Sequence, residues 1–241
     1  MPCAGHPGQI GQGPRWALAA TVRDGLTRSM RLTKFEHATL RVDAAGGTLL
    51  IDPGGYTLPL DDLSSAVAVV ITHEHPDHWS AEHLDRIRDA VPGIPIFGPR
   101  GVADAAAGYD ITVVSPGDTV VVDPFTLRFF GGEHEVIHRS IPVIQNVGVL
   151  VNDTLYYPGD SYAVPKGVEV PMLAAPLGAP WLRVGDAIDF VLAVAPRRAF
   201  GTHDMTLSVI GRDMHRARLK WATEQGGGEF LALDPGDSTE L

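Results

Sequence analysis

Ala66-Val67-Ala68-Val69-Val70-Ile71, followed at once by Thr72-His73-Glu74-His75-Pro76-Asp77-His78, decides how this chain is read. The first six residues are apolar, mostly β-branched and uninterrupted, the pattern of a strand buried on both faces. The next seven put His73, His75, Asp77 and His78 into an H-x-H-x-D-H loop at the end of that strand. A rigid strand that runs into a loop can aim four donor side chains at one point. Neutral imidazoles and a carboxylate are the donors that borderline metals such as zinc prefer. A merely polar surface loop has no reason to follow a core strand in this order. The stretch therefore reads as part of a metal site, and the rest of the chain must supply the remaining ligands.

Downstream, three more strand-like runs end in a donor. Thr126 to Phe130 leads into Gly131-Gly132-Glu133-His134, Leu155-Tyr156-Tyr157 into Pro158-Gly159-Asp160, and Ala199-Phe200-Gly201 into Thr202-His203-Asp204. Each is a weak signal alone; all three behind the histidine loop make a strong joint one.

Around these runs the chain alternates short strands and helices. Arg31 to Phe35, Thr39 to Val42 and Thr48 to Ile51 read as strands, with Gly46-Gly47 as a hairpin turn. Asp52-Pro53-Gly54-Gly55 closes the third. Ser80 caps a helix with a stripe of Leu84, Ile87 and Val91. A strand over 94–97 and a short helix over 101–107 precede a β-rich middle, with strands over 111–114, 119–122, 147–151, 154–157 and 170–174 and a turn at Asn152-Asp153. Val184, Ile188, Val191 and Ala195 share one helical face. Ile210, Met214, Ala217 and Trp221 mark the face of a last long helix, ended by Gly226-Gly227-Gly228 and followed by a strand over 229–233. This order predicts two β-sheets flanked by helices in a single domain over residues 30–241. Residues 1–29 differ: Pro2, Pro7, Pro14 and several glycines crowd the start with no periodicity, so a flexible extension is expected there.

Bulk properties narrow the function classes. The formal net charge is −10, whereas proteins that hold long nucleic acid usually carry a basic footprint. Cys3 is the single cysteine, so no internal disulfide forms and no thiolate ligand is expected; a reducing cytoplasm fits. No apolar run approaches the ~20 residues of a membrane span.

His73, His75, Asp77 and His78, then His134, Asp160 and His203, resemble the ordered ligand set of the metallo-β-lactamase superfamily over about residues 30 to 241. Lys34-Phe35-Glu36-His37-Ala38, Gly132-Glu133-His134 and Pro158-Gly159-Asp160 look most like its ascorbate-6-phosphate lactonase-like branch of metal-dependent hydrolases. The resemblance implies an α/β fold, a four-layer αββα sandwich with a dinuclear site at one edge of the two sheets. It implies that His73, His75 and His134 hold one metal, that Asp77, His78 and His203 hold the second, and that Asp160 bridges them. The aspartate stands where cysteine-containing β-lactamases use a thiolate, which disfavours antibiotic hydrolysis.

Two divalent ions, zinc or else manganese or iron, would lower the pKa of a bridging water and polarise a substrate oxygen. The expected activity is hydrolysis of a small-molecule ester, lactone or related bond by a metal-bridging hydroxide. A phosphodiesterase or nuclease would share the ligand set; a di-iron redox protein or a non-catalytic metal-binding protein are the other classes. Asp77 is counted among the catalytic candidates as well as the ligands. His37 and His138 join it, the first as a residue that reaches the cleft, the second as a substrate contact or general acid. Asp52 is expected to orient a ligand histidine. Asp204 is expected to do the same or to cap the next helix, Trp181 to pack in the core or wall the cleft, and Glu74 to face solvent or a loop. The partner is a small-molecule substrate, with no long nucleic acid and no membrane, and a homo-oligomer is compatible with the chain.

Overall fold

The computed structural model describes residues 29–241, so the extension expected over residues 1–29 lies, apart from Ser29, outside the described residues. The elements run β1 (Met30–Lys34), β2 (Leu40–Ala44), β3 (Gly47–Ile51), β4 (Ala66–Val70), α1 (Ala81–Ala90), β5 (Ile96–Gly98), α2 (Arg100–Ala105) and β6 (Ile111–Val113). They continue as β7 (Thr119–Val122), β8 (Phe125–Glu133), β9 (Gln145–Val151), β10 (Leu155–Tyr157), β11 (Met172–Pro176), α3 (Val184–Val194), β12 (Arg198–Thr202), α4 (Val209–Gln225), β13 (Glu229–Leu231) and β14 (Ser238–Glu240).

Two seven-stranded sheets form, ordered β14-β1-β2-β3-β4-β5-β6 and β13-β12-β11-β10-β9-β8-β7. Side-chain alternation explains how they stack. Leu49 and Ile51 of β3 and Ala68 and Val70 of β4 point between the sheets, where they meet Phe125, Leu127, Phe129, Val149 and Phe200. The intervening Leu50 and Val69, with Ile71 just beyond β4, face the other way and pack on Leu84 and Ile87 of α1 and Val102 of α2. On the second sheet, Leu150, Tyr156 and Leu173 pack on Phe190 and Val191 of α3 and on Leu219 and Ala222 of α4. The result is the expected αββα sandwich, and β4 is buried on both faces as its composition predicts. Each of the larger apolar side chains among these adds roughly 1.5–3 kcal/mol by leaving water.

Strand direction places the functional loops. β2 is antiparallel to β1 and to β3, and β3 is parallel to β4, so β1, β3 and β4 run the same way. β9 is antiparallel to β8 and β10, and β10, β11 and β12 are mutually parallel, so β8, β10 and β12 share a direction. Two backbone hydrogen bonds tie the sheets together where these strands end: Val147 N–H to Thr72 O at 2.9 Å and His203 N–H to His37 O at 2.8 Å.

Three local readings change. The β2–β3 turn is Ala45-Gly46, with φ of 45° and 83°, one residue earlier than expected. Gly47 instead lies in β3, paired with Ala44, at a place where a Cβ would come within 2.7 Å of Pro124 Cδ. β14 was not expected: Ser238-Thr239-Glu240 is short and polar, yet it pairs with β1 and closes that edge of the first sheet. On α4 the Ile210, Met214, Ala217 and Trp221 face is the solvent-exposed one, while Leu219, Ala222 and Thr223 are buried.

Candidate metal centre

Six strand ends deliver the polar groups of this edge. His37 follows β1, Asp52 ends β3, and the loop 72–78 follows β4; His134 follows β8, Asp160 follows β10 and His203 follows β12. The backbone bends sharply at these exits: His37, Asp52 and His203 have φ of 58°, 46° and 57°, a left-handed conformation that non-glycine residues rarely adopt. Gly54 lets the 52–55 turn lie directly on the histidine loop, since a Cβ there would collide with the Asp77 carbonyl. Gly159, at φ 66°, lies as closely against Asn146 and Thr72. Asn146 in turn receives the Asp160 N–H at 3.1 Å and donates to Pro158 O at 2.8 Å.

Two sets of donors converge. Ligand-type atoms of His73, His75, His134 and Asp160 lie within 4.8 Å of one another, and so do those of His37, Asp77, His78 and His203. Asp160 stands between the sets. Its Oδ2 is 3.3 Å from His134 Nε2 and 3.1 Å from His203 Nε2, and its Oδ1 is 3.3 Å from His78 Nε2. The seven residues singled out in the sequence are thus gathered at one place, with His37 beside them. His138 stays outside both sets, on an exposed loop where its Nδ1 is 2.7 Å from Ser140 Oγ.

The second ring nitrogens reveal which histidines can bind a cation. His78 Nδ1–H donates to Asp52 Oδ2 at 2.6 Å, His134 Nδ1–H to Glu135 O at 2.5 Å, and His203 Nδ1–H to Gly178 O at 2.6 Å. With Nδ1 so committed, the lone pair that each ring can offer a cation is the one on Nε2. Those three Nε2 atoms, with Asp160 Oδ1, are buried without a hydrogen-bond partner. Such groups left bare cost ~1–3 kcal/mol each, and coordination to a cation would remove that cost. His37 is wired the opposite way. Its Nδ1 accepts the Met205 N–H at 3.3 Å, so Nε2 bears the hydrogen and donates to Asp77 Oδ2 at 3.1 Å. The donor set therefore fits two cations, with His37 holding a carboxylate.

The field points the same way. Burial opposes charge on Asp160, yet the His203 and His78 rings hold its carboxyl well below the usual carboxylate range. Burial would lower His203, but the carboxylates of Asp160 and Asp77 lift it to about 9. His73 is held well below the ordinary imidazole range, by burial first and then by His78. Two ionised carboxylates in a dry cluster need compensating positive charge, which protons on His78 and His203, or cations in place of those protons, supply.

Asp52 does orient a ligand-type histidine: besides His78 it accepts Thr72 N–H and Oγ–H, both at 2.7 Å, and Tyr157 OH at 2.9 Å. Asp204 departs from both expected roles. It pairs with Lys34 Nζ at 3.2 Å in the core, and Ser208 caps α4 instead. Trp181 is neither mere packing nor a bare wall, for its indole N–H donates to Asp160 Oδ2 at 2.9 Å. Nothing in the Ala179-Pro180-Trp181 context signals that bond. A cavity of about 520 Å³ opens beside His134 and Ser161, with Glu133, Glu135, Val136, Val143 and Tyr162 in its lining. Tyr56 and Met205, both about half exposed, lie against His37. Among the described residues no helix is long and apolar enough to cross a membrane.

Comparison with known proteins agrees with this architecture. Residues 31–203 match the model of the beta-lactamase superfamily domain. Protein Rv0786c of Mycobacterium tuberculosis is 35% identical over 209 residues, covering 85% of this chain and 96% of that protein. Among solved structures, the metallo hydrolase Igni18 of the archaeon Ignicoccus hospitalis superposes with a TM-score of 0.68 at 17% identity, over 88% of this chain and 98% of that one. The metallo-beta-lactamase fold protein YhfI of Bacillus subtilis gives 0.67 at 17% identity, over 88% of this chain and all of its own.

Proposed function

We propose that this chain, a metal-dependent hydrolase that belongs to the beta-lactamase superfamily, works with a dinuclear centre on a small-molecule ester, lactone or related bond. His73, His75 and His134 would hold one ion and Asp77, His78 and His203 the other, with Asp160 placed within reach of both. The observation that carries this reading is the position of Asp160, within 3.3 Å of Nε2 atoms from both donor sets. Two ions there, zinc or else manganese or iron, would supply Lewis acidity and a water acidified towards neutral pH.

The protein's own part is to hold this geometry. Asp52 fixes the ring of His78, Trp181 fixes Asp160, and His37 fixes Asp77. His37 is thereby a positioning residue, and His138, bonded to Ser140 on an exposed loop, carries no step in this reading. The cavity beside His134 receives the substrate. Its charged lining is Glu133 and Glu135, which repel a phosphate and admit a neutral or cationic group, so an ester or lactone is preferred to a phosphodiester.

A panel of lactones, carboxylic esters, thioesters and phosphodiesters, assayed with metal-loaded protein, tests this. Hydrolysis is expected in the uncharged members. Turnover confined to phosphodiesters would overturn the substrate class.

A further inference from the structure

α4 carries an apolar stripe that nothing among the described residues covers. Ile210, Met214 and Trp221 are 74%, 63% and 49% exposed, and Ala217 completes the row. The helix itself is firmly seated by its other side. Leu219, Ala222 and Thr223 are buried, His215 Nδ1–H donates to Leu177 O at 2.6 Å, and Arg216 reaches Leu233 O at 2.7 Å and Asp234 at 2.8 Å. Large apolar side chains on a fixed surface helix, spaced four, three and four residues apart, form the seam by which one helix packs against another.

The seam is self-complementary when a copy of it is turned end for end. A two-fold axis through its centre sets Ile210 against the second copy's Trp221 and Met214 against its Ala217, a large residue facing a small one in the central layer. The flanking charges agree with this direction. Asp213 lies beside the stripe in the N-terminal half, and Lys220 lies on the same side in the C-terminal half, where its present partner is Glu224 at 3.8 Å on the open surface. Antiparallel pairing brings Asp213 to the second copy's Lys220, twice by symmetry. Parallel pairing would instead set Met214 against Met214 and Ala217 against Ala217, large on large and small on small. We propose that α4 is the isologous dimer interface of this protein, with two copies packed antiparallel along Ile210, Met214, Ala217 and Trp221.

Sedimentation equilibrium of the full chain tests this, read beside circular dichroism and metal content. The wild type should sediment at twice the chain mass of 25.7 kDa. Met214→Glu should give a monomer with unchanged helicity and unchanged metal. Asp213→Lys should weaken the dimer by about 10-fold or more through like-charge contact, and Asp213→Lys with Lys220→Asp should restore it. A dimer indifferent to Met214→Glu overturns the proposal, as does a double charge swap no tighter than the single one. A monomeric wild type also overturns it; if deleting residues 1–29 then produced a dimer, the stripe would be covered by the chain's own first segment instead.

Discussion

Single hydrogen bonds decide which ring nitrogen is left open to a cation and which is already committed. His37 and His203 sit in ring contact, centroids 3.9 Å apart, and both occupy left-handed backbone, yet their ring nitrogens are committed in opposite senses. His37 spends its lone pair on Met205 N–H and has only a hydrogen left for Asp77. His37→Ala should therefore loosen one ion about 10–100-fold, the usual cost of losing an outer partner, while His37→Gln, which keeps an N–H near Nε2, should recover part of it. Competition titration with a chelator reads both; equal affinity in wild type and His37→Ala would exclude the positioning role. Trp181→Phe keeps the ring and removes the donor to Asp160, so it should lower kcat with little change in melting temperature. A fall in stability equal to that of Trp181→Ala, with kcat intact, would make the indole a packing group only. The clustering of the seven donor-type residues was legible in the sequence, because each follows a strand at the same edge and their order resembles a known ligand set. Trp181 and the tautomer of His37 were not, because both depend on partners brought in from other strands, in one case from 168 residues away.

Elements were readable where their pattern is local. β4, the Ser80 cap of α1 and the Asn152-Asp153 turn, with φ of 48° and 49°, stand where their chemistry puts them. Periodicity identifies α4 as a helix but not which side faces inward: its buried positions, Leu219, Ala222 and Thr223, are less regular than its exposed stripe. A glycine likewise announces a special backbone need without saying which. Gly54 is required because the 52–55 turn touches the carbonyl of Asp77. Gly54→Ala should push the two loops apart, deplete the ion proposed at Asp77, His78 and His203, and lower the melting temperature. Elemental analysis and calorimetry of the same sample check it, and full occupancy with unaltered melting would show that the loops tolerate the methyl group.

At the scale of the molecule, one edge of two sheets is sewn around a pocket in which four buried atoms, Nε2 of His78, His134 and His203 and Oδ1 of Asp160, have no hydrogen-bond partner. Ions bound only by the folded state stabilise it, by ~2.7 kcal/mol for a site at a hundred times its Kd. Exhaustive chelation should thus lower the melting temperature by about 5 °C or more, reversibly on return of metal. An unshifted transition would mean that the pocket closes on itself. The most direct test of the account is the count of ions per chain, by elemental mass spectrometry on protein loaded and freed of excess metal. The wild type should hold two and Asp160→Asn, still folded, no more than one, with hydrolysis reduced at least ~10²-fold. A wild type that binds a single ion, or an Asp160→Asn variant that keeps both, would contradict it.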